Sequence, residues 1–163
     1  MGEDIKVPYI DLGGQHSKIK DELMSAIESV LLKGQFILGE VLQQFETEFA
    51  KLCGVKHAIG VNSGTDALIM SLQVLGVGCG DEVITTPNSF VASATAAALL
   101  GATPVFVDVL PDYLMDPSKL EAAITSKTKA VMPVHLTGKP CEMAEIIKIC
   151  SRHGIPIVED CAQ

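Results

Sequence analysis

The sequence predicts an α/β fold in which a mainly parallel sheet lies between two layers of helices, a three-layer α-β-α arrangement. The first observation behind it is a set of five short apolar runs of strand length: "HAIGV" (57–61), "EVITT" (82–86), "PVFVDV" (104–109), "AVMPV" (130–134) and "IPIVED" (155–160). Helical stretches separate these runs in regular alternation. The runs are also apolar on both faces, the pattern of parallel strands covered by helices on either side.

Each element has its own local reason. "HSKIKDELMSAIESVLLKGQ" carries Ile19, Leu23, Ala26, Ile27, Val30 and Leu31 at helical spacing, and "EVLQQFETEFAKLCG" repeats the device with Val41, Leu42, Phe45 and Phe49 before a glycine stop. Four further helices are predicted between the strands, from "TDALIMSLQVLG", "SFVASATAAALLG", "DPSKLEAAI" and "EMAEIIKICSRHG". Crossovers of this kind are right-handed. No repeat beyond this alternation, no low-complexity stretch and no linker interrupts the chain, so the expectation is one domain.

Composition narrows the class of partner. The chain has 163 residues, 48% of them apolar, and a formal net charge of −8 without any Lys/Arg-rich run. Nucleic acids and anionic membranes select for a basic face, so neither is expected as a partner. The N-terminus lacks the pattern of a signal peptide and no apolar run approaches the ~20 residues that span a bilayer, which predicts a cytoplasmic protein. Five cysteines without a CxxC pair signal neither a disulfide framework nor a zinc site, and they are read as reduced, mostly packing residues. No metal ligand set is assigned.

In open parallel sheets ligands sit beyond the carboxyl ends of the strands. After "HAIGV" come Asn62, Ser63, Gly64 and Thr65 and then a helix: two hydroxyls, a glycine that lets a backbone approach, and the unpaired N–H groups of a helix N-terminus. This is a phosphate cradle in outline, although Ser and Thr are also ordinary N-caps. It matches neither GxGxxG nor GxxxxGK[ST], so nucleoside triphosphate chemistry is unsupported. After "EVITT", Phe90 stands at a strand-to-helix turn, either as one wall of a planar ligand site or as a core residue capping the sheet. His135 follows "AVMPV" and reads more readily as a histidine satisfied by backbone groups than as a site residue.

Asp160, at the end of the last strand, is the residue that gives the set a meaning. A buried carboxylate is costly unless it meets a cation or several donors. A phosphate cradle, a stacking wall and an acid facing a ring nitrogen together describe pyridoxal phosphate (PLP). Its pyridine nitrogen must stay protonated to act as an electron sink, and an aspartate raises that nitrogen's pKa.

The chain resembles the sugar aminotransferases of the DegT/StrS family, which have the fold type I PLP-dependent transferase architecture. The resemblance rests on "IDLGGQ", "GQFILGEVLQQFETEFAKLCGVKHAIGVNSGTDAL", "GCGDEVITTPNSFVASATAAALLGATPVFVDV", "KTKAVMPVHLTGKP" and "HGIPIVEDCAQ", in that order and nearly end to end. It implies that residues 1–163 are the N-terminal portion of the PLP-binding large domain, incomplete here, with the C-terminal small domain absent. It further implies that Gly64 and Thr65, with Ser63 beside them, bind the cofactor phosphate and that Phe90 stacks on the ring. Asp160 pairs with the pyridinium nitrogen and Gln163 reaches the 3-hydroxyl side. Family members transfer an amino group, typically from glutamate, to a keto sugar carried on a nucleoside diphosphate, and work as homodimers whose sites draw on both subunits.

One family feature has no counterpart in this chain. The Schiff-base lysine lies beyond the EDxAQ stretch, in a segment resembling SFHxxK, and Lys33, Lys56, Lys139 and Lys148 stand in the wrong places to replace it. The 163-residue chain alone is therefore expected to be inactive. A PLP-dependent sugar dehydratase of the same fold, with histidine in place of that lysine, and a non-catalytic ligand-binding half-domain are the alternative readings. The first predicted strand, "HAIGV", is implied to pair with a late strand following the lysine, so it is expected to lack its usual partner.

Overall fold

The computed structural model describes residue 7 and residues 9–163, and these form two compact units that meet between Gly60 and Val61. The first unit is helical: α1 (Leu12–Ser17), α2 (Lys20–Lys33) and α3 (Glu40–Cys53). Asp11 caps α1 by accepting the Gly14 N–H at 2.8 Å, and α2 and α3 stop at Gly34 and Gly54, whose φ values of 65° and 67° lie in the left-handed region. Ala50 is the one buried residue among those described in this unit.

The second unit is built on a sheet of three parallel strands, β1 (Glu82–Thr85), β2 (Thr103–Phe106) and β3 (Thr128–Val131), in the order β2-β1-β3. Its helices are α4 (Gly64–Val74), α5 (Ala92–Leu99), α6 (Pro117–Ala123) and α7 (Met143–His153). Strand alternation sorts the core into two layers. Val83, Ala130 and Met132 pack with Leu68 and Leu72 of α4 and with Ala92, Ala96 and Ala97 of α5. On the opposite face Ile84 and Val131 pack with Leu120 of α6 and Ile146, Ile149 and Cys150 of α7. The predicted three-layer α/β arrangement is thus present, and the alanine-rich α5 lies close to the sheet because its side chains are small.

The strand assignments need three corrections. Residues 57–61, "HAIGV", form no strand, because none of the described residues offers them a ladder; the Gly60 N–H goes to Glu46 Oε1 at 2.7 Å instead. Residues 155–160 run parallel to the β3 side of the sheet through single bridges, Val131 with Ile157 and Val134 with Asp160. Hydrogen bonds from Val131 N–H to Pro156 (3.1 Å), Val158 N–H to Val131 (2.9 Å), Asp160 N–H to Pro133 (2.9 Å) and His135 N–H to Asp160 (3.1 Å) hold it. Pro133 and Pro156 have no N–H to donate, which leaves the pairing as bridges. The run 104–109 also ends early as a strand: Val109 turns into an antiparallel bridge with Met115, around Tyr113 at φ 68°.

Cys53, Cys79, Cys141 and Cys150 are free thiols, and of the five cysteines only Cys141 and Cys150 are buried, so packing accounts for fewer of them than expected. Burial pushes both of these thiols above their ordinary pKa. No helix among the described residues is long and apolar enough to cross a membrane.

Candidate functional site

At the carboxyl rim of the second unit a cavity of about 360 Å³ is lined by Gly64 and Thr65 at the start of α4, by Phe90, by Ala92 at the start of α5, and by Val158 and Asp160. Four of the residues singled out in the sequence, Gly64, Thr65, Phe90 and Asp160, therefore share one site. Helix α4 presents its N-terminus there. Ser63 Oγ accepts the Asp66 N–H at 3.1 Å and the Ser63 carbonyl accepts that of Ala67 at 3.0 Å, while an α-helix supplies no acceptor for the N–H groups of Gly64 and Thr65. A side chain added at Gly64 would meet no atom within 4 Å, so the space in front of that backbone is open to a ligand.

Ser63 itself does not line the cavity. Its backbone is extended and its hydroxyl is occupied with Asp66, whose Oδ2 it also approaches at 3.0 Å, so the N-cap reading describes it. Phe90 is 72% exposed, which removes the reading of it as a core residue. It lines the cavity, where an aromatic ring can cover one face of a planar ligand.

Asp160 is 8% exposed, and each carboxylate oxygen has one donor: Ser93 Oγ to Oδ2 at 3.1 Å and the Ala162 N–H to Oδ1 at 3.2 Å. Behind Ser93, Ser89 Oγ lies 2.9 Å from Ser93 Oγ. The sequence reading passed over both serines. A signal was available, because Ser93 is a polar residue on the buried face of an otherwise alanine-rich helix, and such a residue needs a partner.

Gln163 is exposed and lies outside the cavity lining: its Oε1 accepts the Thr137 N–H at 2.6 Å. Thr137 belongs to a tight turn, Leu136–Gly138, and adopts φ 59°, in the left-handed region. Lys139, just after that turn, pairs with Asp112 Oδ2 at 2.7 Å, and the pair raises the pKa of the amine and lowers that of the acid. A lysine kept protonated in this way is a poor nucleophile.

His135 is satisfied from both sides, by a backbone N–H as its plainer reading expected and by a carboxylate side chain that this reading did not include. Nδ1 accepts the Cys141 N–H at 3.2 Å, so the ring proton sits on Nε2 and is donated to Glu159 Oε2 at 2.9 Å. His135, Glu159 and Cys161 bring ligand atoms within 4.8 Å of one another. A metal at Nε2 would have to displace the proton that this ring shares with Glu159.

The rim can therefore bind an anion at a helix N-terminus, cover one face of a flat ring and place a carboxylate opposite a basic ring atom. The sequence profile of the DegT/DnrJ/EryC1/StrS aminotransferase family matches residues 17–163. A pleiotropic regulatory protein of Geobacillus stearothermophilus is 44% identical over 160 residues, 98% of this chain and 43% of the relative. UDP-N-acetyl-3-dehydro-alpha-D-glucosamine 3-aminotransferase of Acidithiobacillus ferrooxidans is 44% identical over 164 residues, 100% of this chain and 44% of the relative. Among solved structures, NtdA of Bacillus subtilis with bound cofactor PMP superposes with a TM-score of 0.91 at 36% identity, covering 98% of this chain and 37% of that one. The chain thus spans less than half the length of these relatives.

Proposed function

The chain belongs to the DegT/DnrJ/EryC1/StrS aminotransferase family, and from that premise we propose that its rim cavity is the PLP site of a nucleotide-sugar aminotransferase. Residues 1–163 are then the N-terminal portion of the cofactor-binding large domain. One observation carries the reading: Gly64, Thr65, Phe90 and Asp160, chosen for three different parts of one cofactor, line a single cavity. PLP, when bound, supplies the electron sink that the amino transfer needs.

The chain's own residues do the rest. The N–H groups of Gly64 and Thr65 and the α4 dipole hold the phosphate, with Ser63 fixing the turn that aims them. Phe90 covers one face of the ring and keeps water from it. Asp160 would accept a hydrogen bond from the protonated ring nitrogen, and the 3-hydroxyl side is the place proposed for Gln163, whose side chain accepts the Thr137 N–H in this structure. The substrates in this reading are a keto sugar on a nucleoside diphosphate and an amino-acid donor, glutamate. The protein in this reading is a cytoplasmic homodimer.

The test uses the whole protein and measures glutamate-dependent amination of a panel of UDP-, dTDP- and GDP-linked keto sugars. Asp160→Ala is expected to lower turnover by more than about 10²-fold while PLP still binds. Turnover near the unmodified level in that variant would overturn the role given to Asp160. The regulatory name of one relative favours a second reading, cofactor binding without turnover. Stoichiometric PLP with no amination of any sugar in the panel would select it.

A further inference from the structure

We infer that Ser93, with Ser89 behind it, is a positioning residue that fixes the plane of the Asp160 carboxylate toward the cofactor's ring nitrogen. The inference rests on the PLP reading of the cavity. A carboxylate can only accept, so the single hydroxyl proton of Ser93 goes to Asp160 Oδ2 at 3.1 Å. The Ser93 oxygen is then the acceptor in its 2.9 Å contact with Ser89. The direction of the chain follows without ambiguity: Ser89 donates to Ser93, and Ser93 donates to Asp160.

Consecutive hydrogen bonds of one direction polarise each other, and the last one ends on a charge, where such bonds are strongest. The anchor is also rigid. Ser93 is 1% exposed on α5, between Ala92 and the fully buried Ala96 and Ala97, and the Asp160 backbone is fixed by its bonds to Pro133 and His135. With one donor on each oxygen, the carboxylate cannot turn about its last torsion without breaking a bond. Its remaining lone pairs are left for a ligand in the cavity it lines.

Removing Ser93 leaves Asp160 in place but free to rotate, so the effect should fall on what the acid does and little on whether the site fills. In the whole protein loaded with PLP, Ser93→Ala is expected to lower kcat on the order of tenfold, with KM for the amino donor within about threefold of the unmodified value. The ring-nitrogen proton resonance of the bound cofactor should shift and broaden in the same variant. Ser93→Thr, which keeps the hydroxyl, should restore both, and Ser89→Ala should move both in the same direction by about two- to threefold in kcat.

A folded Ser93→Ala protein with an unchanged resonance and unchanged kcat would overturn the inference, showing that Ser93 only satisfies a buried polar group. Should Ser93→Ala not fold, Ser89→Ala decides in its place, and an unchanged resonance there counts against the relay. Failure of the underlying reading looks different: the unmodified protein would not take up PLP, or Asp160→Ala would retain turnover.

Discussion

Helices α3 and α7 carry the same sequence device and meet different ends. Each is amphipathic and each stops at a glycine in the left-handed region, Gly54 and Gly154. In α7 the apolar stripe is covered: Ile146, Ile149 and Cys150 are 0%, 7% and 1% exposed. In α3 it is open, with Val41, Phe45 and Phe49 at 55%, 57% and 46%. The difference lies in what each unit provides. Helix α7 has a two-faced sheet beside it, and Ile84 and Val131 complete its layer. The first unit holds only other helices with the same need, so periodicity announces a buried face there without supplying a cover for it.

The strongest way to break that contrast is to truncate both stripes. Ile146→Ala in this chain should cost about 2–5 kcal/mol, because a fully buried side chain leaves a cavity behind. Phe45→Ala should cost about 1 kcal/mol, the scale of its stacked contact with Phe49, whose ring centroid is 5.6 Å away. Denaturant midpoints measure both. A loss at Phe45 equal to that at Ile146 would mean that the α3 stripe is covered in solution and that the contrast is wrong.

Glycines sharpen it next. Gly101 sits at φ +82°, and a side chain there would collide with Cys79 Sγ, so Gly101→Ala should destabilise by about 1–3 kcal/mol. Gly64, at the start of α4, has neither a positive φ nor a neighbour within 4 Å. Gly64→Ala should leave stability equal or raised by up to about 1 kcal/mol, since alanine suits a helix better. The same change should weaken PLP binding in the whole protein, measured by equilibrium dialysis. A destabilised Gly64→Ala protein would assign that glycine to the fold.

The sequence made most of this readable where one local force decided the outcome. Apolar runs located β1 to β3, and helical spacing located every long helix. Ser63 was legible as the N-cap it is, and Gly64 and Thr65 were legible as lining residues, because capping chemistry and anion binding use the same few residue types. The less legible features depend on contacts distant in sequence. Nothing near residues 57–61 says that they lack a ladder, and prolines 133 and 156 fragment the last pairing because they fall at separate positions along it, where each withholds an N–H from the opposite segment. Ser93 meets Asp160 across 67 positions. Gln163 was expected at the ring but its side chain goes to Thr137, a partner set by a turn in the left-handed region.

Thiol chemistry gives a smaller but cleaner separation. Cys53 closes α3 and is exposed, whereas Cys150, near the end of α7, is buried and its thiol is pushed up by that burial. Under native conditions iodoacetamide should modify Cys53 faster than Cys150 by on the order of 10²-fold or more, since Cys150 reacts only through opening of its layer. Peptide mass spectrometry over time reads both rates. Equal rates would mean that the α7 layer opens as freely as the first unit.

The smallest expected effect concerns the charges that hold the helices to one another. Glu121 of α6 accepts from Arg152 at 2.7 Å and from His153 at 3.3 Å, both on α7, and Arg152 first and His153 second hold its pKa below the usual carboxylate value. An acid lowered in this way adds stability above its unfolded value, and the contribution disappears as pH falls through the lowered folded value. Wild type should therefore exceed Glu121→Gln slightly near neutral pH, the two should converge in acid, and high salt should shrink the gap, because both side chains are about half exposed. In the first unit the Lys33–Glu40 pair spans 3.2 Å with side chains 53% and 76% exposed, and Glu40→Gln should change nothing measurable. Denaturation midpoints across pH test both pairs. A gap for Glu121→Gln that persists unchanged into acid would show that Arg152 holds α6 through packing of its stem and not through charge.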